Sequence, residues 1–70
     1  MDKRRSPRVL DSLALAYYLN GEPGKAAAAI RRAIEALGED DPDLNAALER
    51  KLTRYTQAAE EAGIPIEDDD

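Results

Sequence analysis

Seventy residues make one domain at most, and a chain this short buries only a modest share of its apolar surface, so its stability is thin. It contains no cysteine and no histidine, which removes disulfides, the thiolate and imidazole metal ligands, and the common acid–base and nucleophilic catalytic constellations. A formal charge of −5 argues against a nucleic-acid binder, which needs a basic face, and no apolar run approaches the ~20 residues that span a bilayer.

The chain opens on a basic cluster, Lys3, Arg4, Arg5 and Arg8, and closes on the acidic run Glu67, Asp68, Asp69 and Asp70. Both read as solvated tails, covering 1–5 and 64–70, around a domain at 6–63. No signal-peptide core is visible. Together with the missing cysteine, this makes a cytoplasmic setting the expectation.

Three segments carry helical periodicity. Ser6-Pro7 is a start signal: serine suits the N-cap and proline the first helical position. Val9, Leu10, Leu13, Ala14, Ala16, Tyr17 and Leu19 follow at spacings dominated by three and four, which predicts a helix over about 7–20 with one broad apolar face. Asn20-Gly21 ends it, because glycine takes the left-handed conformation that closes many helices.

Glu22-Pro23 opens a second helix, predicted over 23–37, with apolar positions Ala26, Ala27, Ala29, Ile30, Ala33, Ile34 and Leu37. The small side chains from Ala26 to Ala29 let another helix approach closely. Gly38 is the stop. Asp41-Pro42 repeats the cap-then-proline signal and starts a third helix over about 42–62, closed by Gly63. Its stripe is Leu44, Leu48, Leu52, Tyr55 and Ala59. Ile64-Pro65-Ile66 reads as an extended tail that lays one isoleucine back on the helix. No segment alternates with period two. The fold class is therefore all-α: an antiparallel helical hairpin, forced by the short glycine-containing link, with a third helix packed against it.

The hairpin resembles the tetratricopeptide repeat, a unit of about 34 residues whose pattern is Trp-x2-Leu-Gly-x2-Tyr, then Ala-x3-Phe, then Ala and Pro. Leu10-x2-Leu13-Ala14-x2-Tyr17 stands in the first part, Ala26-x3-Ile30 and Ala33 in the second, and Gly21 in the turn. The pattern has a mechanical basis. Small residues at Ala14 and Ala26 sit where the helices cross, and Leu10, Tyr17 and Ile30 fill the space around the crossing.

There are departures. Gly38-Glu39-Asp40-Asp41 stands where the closing proline belongs, and Pro42 comes late. Pro23 and Gly24 replace an aromatic and a polar residue. The third helix lacks the spacing of a new repeat and resembles the capping helix that follows a last one. The resemblance covers residues ~7 to 42, with the cap extending it to about 62. It implies an alpha-alpha superhelix type of packing. It also implies either the C-terminal end of a longer array or a unit that self-associates, since about three repeats make a stable stack.

In that family the first helix of each repeat lines a concave groove. Carried over position by position, the groove-facing residues are Arg8, Asp11, Leu15, Tyr18 and Leu19, with Ser12 near them. Some members grip a peptide carboxylate with Lys, Arg and Asn at such positions. Only Arg8 fits, so no carboxylate clamp is expected. Leu15, Tyr18 and Leu19 make the first helix apolar on a second side, more than one partner helix covers. The third helix, a neighbouring repeat or another copy are all open as the cover.

Elsewhere the chemistry is sparse. Glu39-Asp40-Asp41-x-Asp43 lacks the spacing and glycine of a calcium loop and reads as a polar helix start. Gly21-x-x-Gly24 has no strand before it, which rules out a phosphate loop. The expectation is a non-enzymatic scaffold or adaptor with no cofactor and no metal. It would bind a protein or peptide segment or a second copy of itself, and neither nucleic acid nor membrane.

Overall fold

Each helix begins on a proline. In a computed structural model, which describes residues 6–66, the elements are α1 (Pro7–Leu19), α2 (Pro23–Leu37) and α3 (Pro42–Ala62). The basic segment 1–5 and the acidic run 67–70 lie outside the described residues. Proline at the first helical position removes an N–H that would have no intrahelical acceptor, so it starts each helix at little cost. The chain is all-α over the described residues, with no strand.

The caps differ in quality. Asp41 caps α3 in the expected way: its Oδ1 accepts the Leu44 N–H at 3.1 Å. Ser6 does not behave as expected. It occupies the N-cap of α1 in extended conformation, but its hydroxyl makes no capping bond, and only its carbonyl engages, accepting the Leu10 N–H at 2.9 Å. At the other end of α1, Gly21 sits at φ 82°, a region that disfavours a side chain. Two bonds close the helix: the Glu22 N–H donates to the Tyr17 carbonyl at 2.8 Å and the Gly21 N–H to that of Tyr18 at 3.1 Å. The same pair recurs after α3, from Ile64 to Ala59 and from Gly63 to Glu60.

The tight turn at 20–22 sends α2 back along α1, and the loop at 38–41 sends α3 back along α2, so α1 and α3 run the same way. α2 is the middle element. Its buried residues are mostly alanine: Ala26, Ala27, Ala29 and Ala33 join Ile30 and Leu37 in the core. The volume comes largely from its neighbours. Leu10 and half-buried Tyr17 enter from α1, and Leu48, Tyr55 and half-buried Leu44 and Leu52 from α3. The α3 stripe at 44, 48, 52, 55 and 59 therefore faces inward along its length.

The broad apolar face expected of α1 is covered only in part. Leu10 and Ala14 are buried against α2, but Val9, Leu13, Ala16 and Leu19 stay exposed. One flank of the face packs and the other is open, because α2 covers a single stripe and α3 lies on the opposite side.

The C-terminal segment 64–66 returns to α2. Ile66 packs against the core cluster, and the Pro65 carbonyl lies over Gly24. A Cβ on Gly24 would overlap the Pro65 carbonyl oxygen and stand 3.1 Å from Ile64 Cγ2. This accounts for a glycine inside the first turn of a helix, where it otherwise costs up to about 1 kcal/mol relative to alanine. Gly24→Ala is thus expected to lower stability to urea in the full chain. In a chain ending at Gly63, the same substitution is expected to raise it by roughly 0.5–1 kcal/mol. A stabilising Gly24→Ala in the full chain would show that the strap does not lie on α2.

Candidate functional site

α1 divides into three stripes. Leu10, Ala14 and Tyr17 face α2. Asp11 and Tyr18 face α3: the Lys51 ammonium donates to both Asp11 carboxylate oxygens, at 2.8 and 2.9 Å, and the Tyr18 ring stacks on Tyr55 with centroids 4.9 Å apart and planes inclined by 30°. The remaining apolar residues face water. Val9 is 43% exposed, Leu13 40%, Leu15 48% and Leu19 75%.

Of the five groove-facing residues expected from the sequence, the structure keeps only part on one surface. Leu15 and Leu19, one turn apart, are open, and Arg8 is exposed at the N-terminal end of the same helix. Asp11 is engaged by Lys51, and Tyr18 is partly covered by Tyr55. The third helix therefore engages two of the five, although Tyr18 remains 37% exposed. In exchange the open surface gains Val9, Leu13 and Ala16, whose periodicity groups them with the core-forming residues. The signal for them is the surplus of apolar positions on α1. Which ones remain open depends on where α3 crosses, and that is a tertiary matter.

Toward the C-terminal end of α1 the surface dips into a groove of about 430 Å³, open to solvent and lined by Leu13, Ala16, Tyr17, Leu19, Asn20 and Glu22. Its floor and walls are apolar and its far rim is polar. Asn20 Nδ2 donates to Glu22 Oε2 at 3.1 Å, Glu22 Oε1 meets Lys25 Nζ at 3.3 Å, and that ammonium lies 5.8 Å from the centre of the Tyr17 ring. An apolar knob flanked by a polar or charged group matches this arrangement.

The acidic loop before α3 gathers no ion site: among the described residues no three carboxylates converge, and Asp41 is used as a helix cap. Among the described residues no helix is long and apolar enough to cross a membrane. No protein-family model matches the chain, and neither curated proteins nor solved structures give a significant match.

The division of α1 has a direct energetic consequence. A double-mutant cycle on Tyr18→Ala and Tyr55→Ala, read by urea unfolding, is expected to give a coupling of about 0.5–1.5 kcal/mol. Leu19→Lys, measured in dilute solution, should change stability by less than about 0.5 kcal/mol. Zero coupling, or a strongly destabilised Leu19→Lys, would contradict the assignment of Tyr18 to the α3 seam and Leu19 to the open face.

Proposed function

We propose that this chain is a non-catalytic protein-interaction module. Its hairpin is of the tetratricopeptide type, closed by a capping helix, and the outer face of its first helix receives an apolar partner segment. The observation that carries the reading is the exposure of four large apolar residues on one thirteen-residue helix, Val9, Leu13, Leu15 and Leu19, beside an apolar groove. Scattered exposed leucines are ordinary, but a contiguous set of this kind, rimmed by Arg8, Asn20 and Glu22, is the usual mark of an interface. The open face sits on a helix already packed against α2, which limits the ordering that binding would require.

The ligand that suits such a surface is an amphipathic helix or short apolar segment, docking residues at three- and four-residue spacing against Leu13, Leu15 and Leu19. The sequence supplies no histidine or cysteine for acid–base or nucleophilic work, which supports a binding rather than a catalytic role.

Selection from a displayed library of random amphipathic helices tests the reading whatever the natural partner is. Binders are expected to emerge, and Leu15→Lys with Leu19→Lys should weaken them about a hundredfold or more, as loss of hot-spot apolar contacts does. Absence of binders, or binders indifferent to both substitutions, would overturn it.

A further inference from the structure

The turn between α1 and α2 carries the dipeptide Asn20-Gly21, and both residues are exposed. We propose that Asn20 is a site of spontaneous covalent modification, deamidation through a cyclic imide, and that the closed turn holds the reaction back until it opens. This holds whether or not the α1 face receives a partner.

The Gly21 backbone nitrogen, having given its proton to hydroxide, attacks Asn20 Cγ. The Cγ–Nδ2 bond breaks, ammonia leaves with a proton taken from water, and a ring now joins Asn20 Cγ to the Gly21 nitrogen. Water then adds at one of the two ring carbonyls, and the bond from that carbon to nitrogen breaks. Cleavage at Cγ leaves an aspartate at position 20. Cleavage at the main-chain carbonyl leaves an isoaspartate, whose backbone runs through Cγ and is longer by one carbon. Glycine hinders the ring closure least, because no Cβ crowds the attacking nitrogen, and the space where a Gly21 Cβ would lie is open. Asn45, the other asparagine, stands inside α3 before Ala46 and is the internal reference.

The folded turn is closed against the first step. Asn20 sits at φ −89° and ψ 7°, which places the Gly21 nitrogen beside the Asn20 nitrogen and away from Cγ, so the Cα–C bond must rotate before the ring can close. The attacking N–H is engaged as well, donating to the Tyr18 carbonyl at 3.1 Å, and the leaving amide donates from Nδ2 to Glu22 Oε2 at 3.1 Å. What holds this conformation is local: these bonds and the Glu22 N–H to the Tyr17 carbonyl, with Leu19, Asn20 and Gly21 all exposed. A segment with few buried contacts opens at a lower free energy than the whole fold. Either product sets a carboxylate where Nδ2 met Glu22 Oε2 and adds negative charge at the C-terminal end of α1, where the helix dipole disfavours it. The isoaspartate also lengthens the link that sends α2 back along α1. The converted turn is therefore looser, and with it the groove rim that Asn20 and Glu22 line.

Peptide mapping by mass spectrometry of the full chain, held at mildly alkaline pH with and without denaturing guanidinium chloride, reads the outcome. Sampling continues until the denatured chain is fully converted at residue 20. The folded chain is expected to convert at the same residue about tenfold or more slowly, as a locally opening segment does, with isoaspartate the larger product and Asn45 unchanged. The aged chain should unfold at lower urea than the fresh one. Asn20→Asp should shift the midpoint the same way by less, since it forms the normal product alone, and Asn20→Gln, which keeps the amide but closes a ring far more slowly, should age without change. A folded chain left unmodified at residue 20 overturns the proposal. So does conversion as fast in the folded chain as in the denatured one, or an aged chain as stable as the fresh one.

Discussion

The alanine face of α2 is the constraint on which the other features depend. Ala26, Ala27, Ala29 and Ala33 are all buried, and α2 is the one helix that packs closely against both of the others. The distance between packed helices is set by the side chains at the contact, so alanine brings neighbours close. The space around each crossing is then filled from outside, by Leu10 and Tyr17 on one flank and by Leu48 and Tyr55 on the other, with Ile30 between them. α2 keeps charged residues such as Arg31 and Glu35 for its exposed face. α1 and α3 flank it without sharing a wide seam of their own.

That arrangement determines what α1 can offer. Its contact with α3 is made by reach rather than by close packing, through the Asp11–Lys51 pair and the Tyr18–Tyr55 stack. The ion pair is half exposed, which puts its worth below about 1 kcal/mol. The tyrosine pair is the stronger link. Everything on α1 beyond those two contacts and the α2 stripe is left to solvent, and most of it is apolar. The open apolar surface is thus the complement of the folding surface on the same helix. A single thirteen-residue segment both closes the core and presents the exposed apolar residues.

Much of the architecture was legible in the sequence because its punctuation is explicit. Ser6-Pro7, Glu22-Pro23 and Asp41-Pro42 each precede a helix, and Gly21, Gly38 and Gly63 each follow one. The inward stripe of α3 follows from spacing alone, and Ala14 and Ala26, small in the pattern the hairpin resembles, are both fully buried. What sequence could not resolve depends on through-space geometry. Asp11 and Tyr18 share a register with Leu15 and Leu19 on α1, but the path of α3 brings Lys51 and Tyr55 onto the first two. Val9 and Leu13 have the periodicity of core residues, and nothing local reveals that no described element covers them. Gly24 stands inside the first turn of α2 where a segment much later in the chain passes over the helix.

Close approach on the alanines of α2 holds the three helices together and leaves the outer face of α1 free. Urea unfolding of Ala26→Leu, beside Ala36→Leu on the exposed side of the same helix, tests this most directly. Ala26→Leu is expected to cost roughly 1–3 kcal/mol through overpacking, while Ala36→Leu changes little. Equal stability of the two variants would contradict it, because α1 would then stand too far from α2 for the alanine to matter.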